Sequence, residues 1–273
     1  LREAEKITKL PHFKGYILDV GGPSANMYAA VCTKKSEHGH CKNKRCLYPK
    51  ICSELHSGHK KHIELLIKLR AIPGIKKVFV ASGIRYDVVM EDKNYGVAYL
   101  KELILHHISG QLKIAPEHTD DTVLRAMGKP GKDYLITFKK LFDDMNKKYC
   151  HAEKKQFLTY YFMAAHPGCS IEEMKKLRQF VRKELKTIPE QLQIFTPTPS
   201  TYSTLMYYTG QDPFTKDDIF VERDANKKGA QKEVVLFSSS RYEGSTGSLV
   251  RQEARRQIPL SRKGWQTEGL KGY

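Results

Sequence analysis

Two sets of residues in this 273-residue chain are suited to chemistry: a cysteine-rich stretch and a series of polar turns. The stretch carries Cys32, Cys41, Cys46 and Cys52, four thiols within 21 residues, beside His38 and His40 and among Lys42, Lys44 and Arg45. That density is hard to explain as core packing. It suits tetrahedral zinc, or an auxiliary Fe-S cluster whose negative charge the basic neighbours offset, and a histidine could replace one cysteine. The spacing matches neither a CxxC zinc knuckle nor a CxxxCxxC cluster loop, and unligated thiols are the competing reading. Cys150 and Cys169 are isolated and read as small buried apolar residues.

The turns are Asp19-Val20-Gly21-Gly22-Pro23-Ser24-Ala25-Asn26, Ser82-Gly83-Ile84-Arg85-Tyr86-Asp87, Pro116-Glu117-His118-Thr119, His166-Pro167-Gly168 and Thr196-Pro197-Thr198-Pro199. Paired glycines let a backbone approach a ligand closely, although an ordinary tight turn has the same composition. Ser82 can bind a hydroxyl or carboxylate and Arg85 can clamp a carboxylate through two bonds; pairing of Arg85 with Asp87 is the structural alternative. Lys113 precedes the third turn. There Glu117 can orient a ribose, and His118 can bind substrate or relay a proton at neutral pH. Glu117 could instead cap the next helix, but Thr119 and Asp120 are better placed to do so. His166 and Thr196 are expected to shape a pocket rim.

These turns need a scaffold that gathers them. Short β-branched runs at Gly15 to Val20, Lys77 to Ala81, Gln111 to Ala115, Gln156 to Met163 and Gln191 to Phe195 predict five strands. Amphipathic stretches at Leu1 to Leu10, Lys60 to Ala71, Val97 to Ile108, Thr119 to Met127, Lys132 to Tyr149 and Ser170 to Lys186 predict helices. Ser170 followed by Glu173 has the form of a capping box. The alternation predicts an α/β fold with parallel strands, whose ligands sit at the carboxyl ends of the strands, where the turns are.

Taken in that order, the turns resemble the YgiQ family of radical S-adenosylmethionine (SAM) proteins, from Leu1 to about Lys232. The resemblance implies a partial parallel (β/α) barrel and a 4Fe-4S cluster held by a CxxxCxxC loop. It also implies SAM on the fourth iron and a 5'-deoxyadenosyl radical that abstracts hydrogen from a substrate, with flavodoxin or ferredoxin as reductant. Gly21-Gly22-Pro23 stands where related enzymes have a Gly-Gly-Glu turn that receives the SAM amino group; with proline there, carbonyl oxygens must do the recognition. By the same resemblance Ser82, Arg85, Lys113 and Glu117 contact SAM. The chain contains no CxxxCxxC. It is therefore expected to be a fragment, inactive alone, with the main cluster site upstream of Leu1. The expected domains are a barrel over 1–212 with the insert at 32–52, an extension over 213–237, and a disordered tail over 238–273 in which Trp265 could anchor a local contact.

The net charge of +17 favours acidic partners. Its lysines are spread along helices, as on a solvated face, so nucleic acid is a secondary expectation. A zinc-binding basic module that binds RNA is the alternative reading, and a cluster-free barrel enzyme using Glu117 and His118 as base and acid is a third. No apolar run approaches the length that spans a bilayer and no signal-peptide core is present, so the expected compartment is the cytoplasm, with no membrane partner. The pocket residues do not specify a substrate.

Overall fold

In Gln111–Glu117 the fully buried Leu112 and Ile114 alternate with exposed Gln111 and Lys113, the two-residue period of a strand with one face in a core. This strand is the first of a parallel three-stranded sheet in a computed structural model that describes residues 1–22, 24–39, 41, 45–150, 155–189 and 192–236. Pro23, His40, Lys42, Lys44 and the expected tail with Trp265 lie outside the described residues.

The strands are β1 (Tyr16–Ile17), β2 (Val31–Cys32), β3 (Leu55–His56), β4 (Lys77–Val78), β5 (Gln111–Glu117), β6 (Phe157–Ala164) and β7 (Leu192–Ile194). β5, β6 and β7 are parallel in that order, and β1 runs parallel to β4. Hydrogen bonds beyond the short strands continue the pattern: Val20 N donates to Phe79 O, Val80 N to His107 O, and Ile84 forms a parallel bridge to Ile114. The five expected strands are therefore all present, and the expected α/β fold with parallel pairing is observed. The described strands do not close into a barrel.

The helices are α1 (Arg2–Ile7), α2 (Thr33–His38), α3 (His59–Arg70), α4 (Tyr86–Glu91), α5 (Gly96–Glu102), α6 (Asp121–Met127), α7 (Lys132–Tyr149), α8 (Ile171–Phe180), α9 (Tyr202–Thr209) and α10 (Ala225–Leu236). α5 and α8 each continue into a π-helical turn, Leu103–His107 and Val181–Leu185. α7 buries Leu135, Phe138, Phe142 and Met145 at three- and four-residue spacing. With Leu66, Val78, Ile84, Leu100, Leu112 and Phe162 they form the core between helices and sheet, each large side chain contributing roughly 1.5–3 kcal/mol. The other face of the strands is exposed at Tyr16, Leu18, Gln111 and Lys113.

Helix starts follow local chemistry. Asp120 accepts from the Thr122 and Val123 amides at the start of α6, and Ser170 with Glu173 forms the expected capping box on α8. The stretch from residue 213 is continuous with the rest. α10 buries Gln231, Val234 and Val235, and the Gln231 amide accepts from Ala165 N at 2.9 Å and donates to Cys169 O at 3.1 Å. Among the described residues no helix is long and apolar enough to cross a membrane.

Candidate functional site

Asp19 follows β1 and Ser82 follows β4, and because the two strands are parallel neighbours both residues leave the sheet at its carboxyl edge. Asp19 Oδ1 accepts from the amides of Ala81 (2.9 Å) and Ser82 (3.0 Å), and Oδ2 accepts the Ser82 hydroxyl. Ala25 N donates to Gly83 O at 3.1 Å. Asn26, fully buried, donates through Nδ2 to Arg85 O at 2.8 Å and accepts from Arg85 N at 2.7 Å. The segments 19–26 and 81–85 are thus laced into one unit.

The lacing explains the two glycines separately. A Cβ on Gly21 would lie 2.5 Å from Ser82 Cβ and 2.6 Å from Ser82 Oγ, so only glycine fits. A Cβ on Gly22 would meet nothing within 4 Å. Both border a cavity of about 730 Å³ whose walls include Asp19, Ser24, Tyr28 and His62, a volume in the range of small-ligand sites.

Behind the turn stands a buried chain of polar groups. His59 Nε2 lies 3.2 Å from Asn26 Nδ2, which is a donor, so Nε2 accepts and Nδ1 carries the proton given to Asp92 Oδ2 at 2.8 Å. Burial lowers the His59 pKa, with Asp92 opposing in part, which agrees with a neutral ring. Asp92 also accepts from Ser57 and from the amides of Asn94 and Tyr95, and Tyr99 stacks on His59 at 4.6 Å. Asn26 sits in a turn picked out by the sequence. His59 and Asp92, 33 residues apart, have no local spacing to mark them.

The Arg85 guanidinium is engaged within the chain. It forms a two-point ion pair with Asp87 (Nε to Oδ1 2.8 Å), with side-chain exposures of 15% and 4%. Burial raises the Asp87 pKa, but the Arg85 bond and charge outweigh it and hold the carboxyl below its ordinary value. The internal pair is the structural alternative that the sequence offered to a carboxylate clamp. Glu117 adopts a positive φ of 68° at the end of β5, where the register with β6 shifts. Lys129 Nζ donates to Ala115 O at 2.6 Å and reaches Glu117 Oε1 at 3.4 Å; Glu117 Oε2 is buried with no hydrogen-bond partner. Arg85, Asp87, Glu117 and Lys129 interact electrostatically as a neutral four-charge cluster beside the turn.

His118 is 1% exposed and its Nδ1 accepts from Asp120 N at 2.9 Å, fixing the start of α6. Burial holds its pKa down at about 4, and Nε2 faces Cys169 Sγ at 3.6 Å. In this arrangement His118 packs against Cys169 and holds the start of α6. His166 is likewise buried, donating to Pro167 O at 2.7 Å and accepting from Ser203 at 2.8 Å, its pKa lowered by burial to about 4. Thr196 is exposed after β7, and Lys113 lies exposed within β5, four residues ahead of Glu117. Gly21, Gly22, Ser82, Arg85 and Glu117 form one neighbourhood, which Lys113 borders through the Ile84 N to Lys113 O bond at 3.0 Å; His118, His166 and Thr196 stand outside it.

Cys32 sits in β2, Cys41 and Cys46 are exposed and Cys52 is buried, with Cys52 N donating to Cys46 O at 2.8 Å. Among the described residues no three His, Cys, Asp or Glu side chains are grouped to hold a metal ion. Cys169 is fully buried and its thiol is pushed up to about 12 by burial. Iodoacetamide is therefore expected to label Cys41 and Cys46 in the native chain and Cys169 only after denaturation, as read by peptide mass spectrometry. Rapid native labelling of Cys169 would contradict its packing against His118.

These turns lie on the carboxyl edge of a parallel α/β sheet, which is the class of fold the chain has. The chain is similar to proteins named UPF0313 protein. It is 55% identical to one from Fusobacterium nucleatum over 235 residues, covering 86% of this chain and 41% of that protein. A UPF0313 protein of Clostridium botulinum is 48% identical over 87% of this chain and 36% of its own length, and one of Methanosarcina mazei is 46% identical over 87% and 37%. The chain thus spans about two-fifths of the length of these relatives. No family model matches it.

Proposed function

We propose that this chain is the SAM-binding part of a YgiQ-type protein, a partial (β/α) barrel whose ligand lies on the Gly21-Gly22 turn. The observation that carries the reading is the Asp19–Ser82 lock, which presses Gly21 onto Ser82 and leaves Gly22 open beside a cavity of ligand size. The UPF0313 relatives and the order of the turns support it.

When bound with a 4Fe-4S cluster, SAM supplies reductive cleavage and hydrogen abstraction. The chain has no CxxxCxxC, so none of its residues is assigned to that cluster. Its own residues bind and orient. Backbone groups of Gly21 and Gly22 meet the amino-acid end of the ligand, because no side chain intervenes at either position. Asp19 and Asn26 hold that backbone in place before the ligand arrives, which lowers the ordering cost of binding. The unpartnered Glu117 Oε2 accepts a ligand hydroxyl, and the Arg85–Asp87 pair fixes the wall next to it. His59 stays neutral and keeps Asn26 aligned.

Equilibrium dialysis of the chain against labelled SAM tests the reading. Saturable retention in the micromolar to millimolar range is expected. Absence of saturable retention would count against it.

A further inference from the structure

A second feature lies on β5 and β6 rather than on the turns that follow β1 and β4. Two cavities, of about 730 and 270 Å³, adjoin at the start of β5 and β6 and share Gln111, Leu158, Thr159, Tyr160 and Thr187 in their walls. Lys113 lines the smaller; Lys139, Lys147, Lys155 and Lys186 line the larger. Among the described residues these five cations face one lining carboxylate, Asp143, already engaged by Lys139 at 2.6 Å. Lys113, Lys147, Lys155 and Lys186 make no ion pair among the described residues. Aromatic rings stand among the lysines: Phe157, 56% exposed, lies in the larger cavity with Lys155 Nζ at 6.0 Å from its ring centre, and Tyr161 lines the smaller.

We propose that this groove binds single-stranded nucleic acid, its lysines meeting phosphates and Phe157 stacking on a base. Like charges gathered along one groove repel, and a polyanion relieves that repulsion while releasing counterions. An exposed ring between cations meets the need of a strand whose bases are unstacked, because every base presents a π-face. Two adjoining compartments suit a chain of nucleotides better than one nucleotide. The groove occupies the first halves of β5 and β6 and the glycine turn follows β1, so the proposal does not rest on SAM binding.

The test is fluorescence anisotropy of labelled uridine RNA and thymidine DNA oligonucleotides of about 15 residues with the full chain across a salt series. Lys147→Glu/Lys155→Glu and Phe157→Ala are compared with Lys61→Glu/Lys68→Glu on α3, which changes net charge equally away from the groove. Groove reversal is expected to weaken binding at least tenfold and to reduce the log–log salt slope by about 1.4, some 0.7 per phosphate contact. Phe157→Ala is expected to weaken binding about fivefold or more, with circular dichroism unchanged. Binding of both sugars supports the proposal as stated, and preference for RNA supports it and identifies the source. Equal loss in the α3 variant, heparin binding as tight as the oligonucleotides with Phe157→Ala silent, a mononucleotide alone binding, or no binding at low salt would each overturn it.

Discussion

Gly21→Val is expected to abolish SAM retention and to destabilise the chain, whereas Gly22→Val should abolish retention with stability almost unchanged. The difference follows from what a side chain would meet. At Gly21 a Cβ would lie 2.5 Å from Ser82 Cβ, and both atoms belong to turns held by Asp19, so neither can give way without breaking the lacing. Overpacking of that kind costs about 1–3 kcal/mol. At Gly22 no atom lies within 4 Å of an added Cβ, so valine enters only space that a ligand would fill, and its effect on stability should stay within about 0.5 kcal/mol. Thermal melts and equilibrium dialysis on both variants check this. A Gly22→Val chain that still retained SAM normally would remove the ligand from this turn.

The second large effect is on stability. Arg85→Ala is expected to cost about 3–5 kcal/mol, because Asp87, with 4% of its side chain exposed, would keep a buried charge without its partner. Asp87→Leu should be comparably harmful for the converse reason, while the double variant Arg85→Met/Asp87→Leu should recover much of the loss. The pH dependence has a definite sign. The folded pKa of Asp87 is lowered, so its stabilisation is fully present above the ordinary carboxylate pKa of about 4. It is lost as pH falls through the depressed folded value. Denaturant titrations from neutral to acid pH should therefore show wild type and Arg85→Ala converging below about pH 4. A constant gap across that range would contradict the assignment.

Much of the scaffold was legible because its signals are local. Lys132 to Tyr149 was expected and found as one helix, since its apolar side chains recur at helical spacing over eighteen residues. The Ser170 capping box and the Asp120 cap depend on neighbours three residues apart or fewer. The strands were found where β-branched runs meet turn residues, although β1 and β4 form fewer ladder pairs than their runs suggested. α4 was missed because Tyr86 and Asp87 read as the end of a turn, and the β2–β3 pairing because its partners, Val31 with His56 and Cys32 with Leu55, are far apart in sequence.

The site was legible in its backbone and less so in its side chains. Gly21, Gly22, Ser82 and Glu117 meet at one edge because the parallel fold brings successive strand ends together. The Arg85–Asp87 pair was visible as an alternative, the two residues being adjacent but one. The Asn26–His59–Asp92 chain and the Lys129–Glu117 contact were not, since nothing in sequence reports proximity across such separations. Cysteine density is a signal of sequence alone: among the described residues the four positions spread over β2, an exposed loop and a buried site before β3.

The most direct measurement is made in a chimera. This chain's residues would replace their aligned counterpart in the Fusobacterium nucleatum relative, 55% identical over 235 residues, followed by anaerobic reconstitution with iron and sulfide and assay of SAM cleavage to 5'-deoxyadenosine and methionine. Cleavage by both the relative and the chimera, lost in Gly22→Val, is the result expected. Cleavage by neither, or by a chimera indifferent to Gly22→Val, would contradict the assignment of this turn to SAM.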